Sequence, residues 1–200
     1  MIVGLDLDGV LNDVHQWIYQ DVKNKFGIDF FWDEADLSKL SVPKKVISFI
    51  KTKCFGNPSY MNNIPATEEA IECVERLKGV SEIDKVYIVT GRSSSPAMVA
   101  QTEAWADEWF QGSIDGVFFS GYKKGNFLKN LGVELYVEDM LEQAINVVDT
   151  AIHCYLIDKP YNKDRDYWCD ILRRKESLKS CIDDIVVHCA FRSAIRSERR

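Results

Sequence analysis

Two aspartates, Asp6 and Asp8, stand two residues apart where the short apolar run Ile2 to Leu5 ends, and Gly9 follows at once. Side chains at i and i+2 of a strand point the same way, so both carboxylates would enter one crevice. Like charges that close need a cation or a shared proton between them. Mg²⁺ suits the pair, because it takes one or two carboxylates and keeps waters and a substrate phosphate as its other ligands. Taken alone, Asp-x-Asp-Gly is equally a solvated turn. Three more polar clusters change that balance. Thr90-Gly91 follows Val86-Tyr87-Ile88-Val89 and offers a hydroxyl and an amide to a phosphoryl oxygen. Lys123-Lys124 precedes a helical stretch, and Glu138-Asp139 follows Leu135-Tyr136-Val137. Singly, these are an N-cap, solvated lysines and carboxylates at a helix dipole. Converging on one sheet edge, they are expected to form a single site rather than four unrelated surface features.

The elements that must position them read as strand, polar loop and helix repeated four times. The apolar runs at 86–89, 116–119, 135–137 and 154–157 are followed by helical patterns over about 97–111, 124–131 and 140–150, and from about 165. That rhythm predicts an α/β fold, a Rossmann-like parallel sheet with helices on both faces. Ligands then bind beyond the carboxyl ends of the strands. Between the first and second strands the rhythm is interrupted. Val14, Ile18, Val22 and Phe26 mark an amphipathic helix stopped by Gly27, and a second helical stretch runs from Pro43 to about Cys54. Residues 14–66 are therefore expected to form a small helical cap, with 1–13 and 67–190 as the core. A capped helix over 67–78 and a frayed polar tail, 191–200, complete the partition.

Composition narrows the partners. In 200 residues, 46% hydrophobic and 28% charged, a net charge of −6 has the wrong sign for neutralising a long nucleic acid. No stretch approaches a membrane span, and Met1-Ile2-Val3-Gly4-Leu5-Asp6 lacks the basic start of a secretory signal. The six cysteines never form Cys-x-x-Cys, and reduced packing thiols in a cytoplasmic protein are expected, Cys154 among them.

In order and spacing, Asp6-x-Asp8, Thr90, Lys124 and Glu138-Asp139 resemble the four motifs of the haloacid dehalogenase-like phosphohydrolases. The resemblance spans residues 1 to about 162. Within that superfamily, Phe55-Gly56-Asn57-Pro58-Ser59-Tyr60, Thr90-Gly91-Arg92 and Asp158-Lys159-Pro160-Tyr161-Asn162 are similar to the 5′-nucleotidase and deoxyribonucleotidase branch. Physical chemistry assigns matching roles. Asp6 is the nucleophile, and Asp8 is the general acid and then base. Asp6, Asp139 and the Asp8 carbonyl hold Mg²⁺, with Glu138 behind them or acting through water. Lys124 neutralises charge, while Thr90 and the Gly91 amide fix the phosphate. Lys123 competes with Lys124, which aligns better with the resemblance.

The expected substrate is a small phosphomonoester, a nucleoside 5′-monophosphate or a deoxyribonucleotide, with a sugar phosphate as the alternative. A non-catalytic Mg²⁺-binding or phosphoacceptor module is the reading from another class. Phe30, Phe31, Trp32, Phe55 and Tyr60 could stack on a base or simply pack the cap. Arg92 could reach the phosphate or tie down its loop. His15, His153 and His188 are expected to lie away from the strand ends.

Overall fold

Each apolar run is a strand of one sheet: β1 (Ile2–Leu5), β2 (Lys85–Thr90), β3 (Gly116–Phe119), β4 (Leu135–Glu138) and β5 (His153–Ile157), joined by β6 (Leu172–Lys175). The structure, a computed structural model, describes residues 1–34, 36–163, 165 and 167–198, with side chains as far as 191. All five neighbouring pairs are parallel, in the order β3-β2-β1-β4-β5-β6. The chain moves outward from β1 to β3 and returns to β4, so the strand order reverses between β1 and β4. At such a reversal the connections diverge and leave a crevice at the carboxyl ends.

The strands are apolar on both faces because both are covered. Val86 and Ile88 of β2 pack with Val74 of α4 (Glu68–Lys78), Trp105 of α5 (Pro96–Phe110) and Ile182 of α8 (Leu178–Glu198). Tyr87 and Val89, one residue out of phase, pack with Leu128 of α6 (Gly125–Asn130) and Val147 of α7 (Leu141–Val148). Thr67 caps α4, its hydroxyl accepting from the Ala70 N–H at 3.1 Å.

Residues between Asn12 and Ala66 leave and rejoin the core at one place, since these two residues bridge each other. The segment contains α1 (Val14–Phe26), α2 (Lys44–Phe49), a π-helical turn (Ile50–Phe55) and α3 (Pro58–Asn62). Its apolar residues, Val14, Ile18, Val22, Trp32, Val46, Ile50 and Met61 among them, form a third cluster that reaches the core at Met98 and Tyr161. Trp105 Nε1 donates to the Ile64 carbonyl at 2.6 Å and fastens the returning strap.

Two expectations are corrected at the carboxyl end. Where helix was expected from about 165, β6 forms at 172–175 and α8 begins at Leu178. Leu172-Arg173-Arg174-Lys175 carries no apolar alternation because it is an edge strand whose cations pair outward, Lys175 with Asp184 at 2.6 Å and Arg174 with Asp158 at 3.1 Å. The polar stretch expected to fray continues α8 to Glu198, while residues 199 and 200 lie outside the described residues. All six cysteines are free, and Cys154 is buried in the core. No helix among the described residues is long and apolar enough to cross a membrane.

Candidate active site

Asp6 follows the last residue of β1, Thr90 and Glu138 close β2 and β4, and Lys124 stands just before α6. All four are buried, with Asp139 beside them. The Lys124 ammonium lies 2.7 Å from Asp6 Oδ1 and donates to Glu138 Oε2 at 2.9 Å. The ammonium therefore bridges the two carboxylates and pairs with both. Glu138 Oε1 accepts the backbone N–H groups of Asp139 and Met140, each at 3.1 Å, so this carboxylate is a fixed strut between the lysine and the β4 loop. Lys123 is exposed. Gly125, the next residue, lets α6 sit close against α7: a Cβ there would lie 2.2 Å from the Asn146 carbonyl oxygen.

Asp139 is held from the β5 side. The Tyr161 hydroxyl donates to Asp139 Oδ2, and Asn162 Nδ2 donates to the Asp139 carbonyl at 2.6 Å and to the Ile157 carbonyl at 2.8 Å. Asp139 Oδ1 is buried without a partner. Gly9, at φ +86°, passes directly beneath, and a Cβ there would lie 1.9 Å from Asp139 Oδ2. Only glycine tolerates both that backbone conformation and that approach.

The carboxylates of Asp6, Glu138 and Asp139 bring oxygens within 4.8 Å of one another. Burial, the charge of Glu138 and, more weakly, that of Asp8 push the Asp6 carboxyl up to about 8, against the opposing pull of Lys124. Burial and the Asp6 charge raise Asp139 to about 6, while the Tyr161 hydrogen bond pulls the other way. Glu138 is raised by burial in spite of Lys124. Burial alone would depress the Lys124 ammonium, but the carboxylates of Asp6 and Glu138 outweigh it and hold that pKa well above the usual value. Three clustered acids facing one ammonium, with an orphaned oxygen on Asp139, fit a hard divalent cation with oxygen ligands such as Mg²⁺.

A cavity of about 370 Å³ opens over this cluster and is lined by Asp6, Asp8, Thr90, Gly91, Arg92 and Lys124, with Trp32 and Phe55 on the side of the inserted segment. Phe30 and Tyr60 do not line it. Phe30 packs against Tyr19 and Trp32, with centroids 5.6 and 5.7 Å away, and faces an adjoining hollow of about 620 Å³. Tyr60 is packed into the inserted segment's own apolar cluster. Thr90 Oγ1 accepts the Arg92 backbone N–H at 3.1 Å, leaving the hydroxyl proton to donate into the cavity.

Several lining residues carry no motif signal. His15, expected away from the site, lines both the cavity and the hollow, stacked edge-on to Trp32 at 4.6 Å with Nδ1 3.3 Å from the Tyr161 hydroxyl. Its position at the start of α1 becomes relevant only when the inserted segment folds back over the sheet edge. Burial and, after it, the charge of Lys159 lower its pKa to about 4, so it is neutral at pH 7. Gln143, one turn along α7 from the Glu138-Asp139 loop, is buried on the cavity wall with Oε1 unpartnered. Amphipathic spacing marks Gln143 as a buried position without revealing that it faces a cavity.

No protein-family model and no curated protein sequence matches the chain. Its fold does match solved structures. A dehalogenase solved with an intermediate complex aligns over 90% of this chain and 94% of its own, at 15% identity and a TM-score of 0.59. A haloacid dehalogenase-like family hydrolase from Streptococcus pneumoniae aligns over 90% and 96%, at 14% identity and 0.56. CbbY from Rhodobacter sphaeroides, solved with phosphate, aligns over 88% and 94%, at 16% identity and 0.53. At these identities the likeness establishes the fold, a haloacid dehalogenase-like core.

Proposed function

We propose that the chain is a Mg²⁺-dependent phosphomonoesterase that carries the phosphoryl group on Asp6 and acts on a nucleoside 5′-monophosphate. The observation that carries this reading is the buried cluster of Asp6, Glu138 and Asp139, in which Asp6 and its ion-pair partner Lys124 share one cavity with Thr90 and Asp8. Asp6, Asp139 and the Asp8 carbonyl would hold the cation, whose chemistry is to neutralise the charge that phosphate brings to a carboxylate-rich pocket.

Each residue then has a task. An Asp6 oxygen bonds to phosphorus as the phosphorus–oxygen bond to the leaving group breaks, and Asp8 gives its proton to the departing oxygen. In the second half Asp8 takes a proton from water, the water oxygen bonds to phosphorus, and the bond from phosphorus to Asp6 breaks. Lys124 offsets charge on the nucleophile and on the phosphoryl oxygens throughout. The Thr90 hydroxyl and Gly91 amide orient the phosphoryl group.

The nucleotide is supported by the resemblance of the Thr-Gly-Arg and Pro-Tyr-Asn segments and by Trp32 and Phe55 on the cavity wall, where flat rings suit a base. A sugar phosphate is the second reading. Ser93 and the unpartnered Gln143 Oε1 suit hydroxyl groups, and CbbY, which shares the fold, has been solved with a xylulose bisphosphate.

Phosphate release from a panel of nucleotides, sugar phosphates and a generic aryl phosphate tests the substrate class. For a nucleotidase, Trp32→Ala or Phe55→Ala should lower kcat/KM for the preferred nucleotide by about 5- to 150-fold, equivalent to about 1–3 kcal/mol of lost stacking. The aryl phosphate should be affected much less. Equal losses on both substrates in folded variants would make the aromatics structural and leave the substrate class to the panel.

A further inference from the structure

Arg92 lines the cavity beside Asp8, and its side-chain hydrogen bonds go to Asp8 and Thr102 rather than to the Asp6, Glu138 and Asp139 cluster. Its guanidinium, 4% exposed, embraces Asp8 from the end of β2: Nε donates to Oδ2 at 2.8 Å and Nη2 to Oδ1 at 2.6 Å. Nη1 donates to Thr102 on α5 at 3.3 Å, which fixes the far side of the fork. Asn12 Nδ2 adds a third bond to Asp8 Oδ1 at 3.0 Å. An aspartate on a loop has two free side-chain torsions, and a two-pronged partner that is itself anchored removes that freedom. Such a buried pair is a poor source of stability, because desolvating the guanidinium and the carboxylate costs about what their attraction returns.

We infer that Arg92 is a positioning residue: with Thr102 and Asn12 as struts, it aims the Asp8 carboxyl at the oxygen that leaves phosphorus. The inference rests on the phosphomonoesterase reading. Burial is outweighed by Arg92 and Asn12, which hold the Asp8 carboxyl below the usual carboxylate range. Asp8 therefore has to take up a proton against them once substrate is bound before it can supply the leaving oxygen, which needs that proton in proportion to its basicity. An alkoxide requires a well-placed acid, whereas a dinitrophenolate departs without one. A misaimed Asp8 should therefore be felt on one class of substrate.

The test is kcat/KM, which reports steps up to the first phosphoryl transfer, for an alkyl phosphate and for dinitrophenyl phosphate. In Arg92→Gln the alkyl phosphate should lose about 10²-fold or more and dinitrophenyl phosphate less than about 5-fold. Asp8→Asn should show the same pattern, and the double variant should be no worse than Asp8→Asn alone, because both act through one group. Arg92→Lys should resemble Arg92→Gln, since an ammonium restores the charge and not the fork. Thr102→Val, a milder change should the Arg92 variants fail to fold, should give the same selectivity with a loss of about 3- to 10-fold.

Equal losses across leaving groups, additive losses in the double variant, or full rescue by lysine would overturn the inference and make Arg92 a phosphate-binding or structural residue. No turnover of any phosphomonoester by the wild type would instead defeat the underlying reading.

Discussion

Asp6→Asn should reduce phosphate release by about 10⁴-fold or more while the protein stays folded, because an amide oxygen cannot carry the phosphoryl group. The same change should make the chelator-treated protein more stable at pH 8. The Asp6 carboxyl, raised to about 8 by burial, the Glu138 charge and more weakly the Asp8 charge, is a cost of folding wherever it must ionise. An amide removes that cost and leaves Lys124 paired with Glu138. Steady-state phosphate assays and thermal denaturation of the same preparation check both halves. Retained turnover in a variant free of wild-type enzyme would move the nucleophile elsewhere, and a large loss of stability would show Asp6 to be structural.

Removing divalent cations should cost activity by about 10³-fold or more, several kcal/mol of lost charge neutralisation. It should also change the dependence of stability on pH. In metal-free protein the Asp6 and Asp139 carboxyls, raised to about 8 and about 6, bind protons more tightly folded than unfolded. Their contribution therefore favours the folded state least at high pH: stability falls as pH rises from about 4, where the unfolded carboxylates ionise, and levels off above about 8. Mg²⁺ binds the ionised carboxylates and should reverse this loss. Its stabilisation should grow across the same window, reaching about 5–10 °C in Tm at a cation concentration on the order of 100 times Kd. A cation effect on Tm that is flat with pH would contradict the assignment of these acids as ligands.

What the sequence reveals about this molecule follows from where its information is local. β2 is legible because Val86 and Ile88 face one layer and Tyr87 and Val89 the other, and a run buried on both sides has to be apolar. Once the strands are placed, Asp6, Thr90 and Glu138-Asp139 fall at one edge, since each immediately follows or closes a strand. Choosing Lys124 over Lys123 requires tertiary contact: the two differ in that one is buried between Asp6 and Glu138 and the other is exposed. β6 is hidden by its own cations. Arg92 is visible as a residue and not as a partner of Asp8, because the pairing spans 84 positions in the chain. Tyr161 and Asn162 stand out as a turn, and only the fold shows that the turn braces Asp139. His15 and Gln143 reach the cavity through the packing of α1 and α7, which periodicity describes only as buried or exposed faces.

The most direct test of the central claim is to mix the Mg²⁺-loaded enzyme with a phosphomonoester that it turns over, quench in acid within one turnover, and map the protein by mass spectrometry. A phosphoryl group on the peptide containing Asp6, present in wild type, absent in Asp6→Asn and lost when the enzyme is allowed to complete its turnover before quenching, is the predicted result. Turnover of the same substrate with the phosphoryl group trapped on another residue, or with no phosphorylated peptide at any quench time, would contradict it.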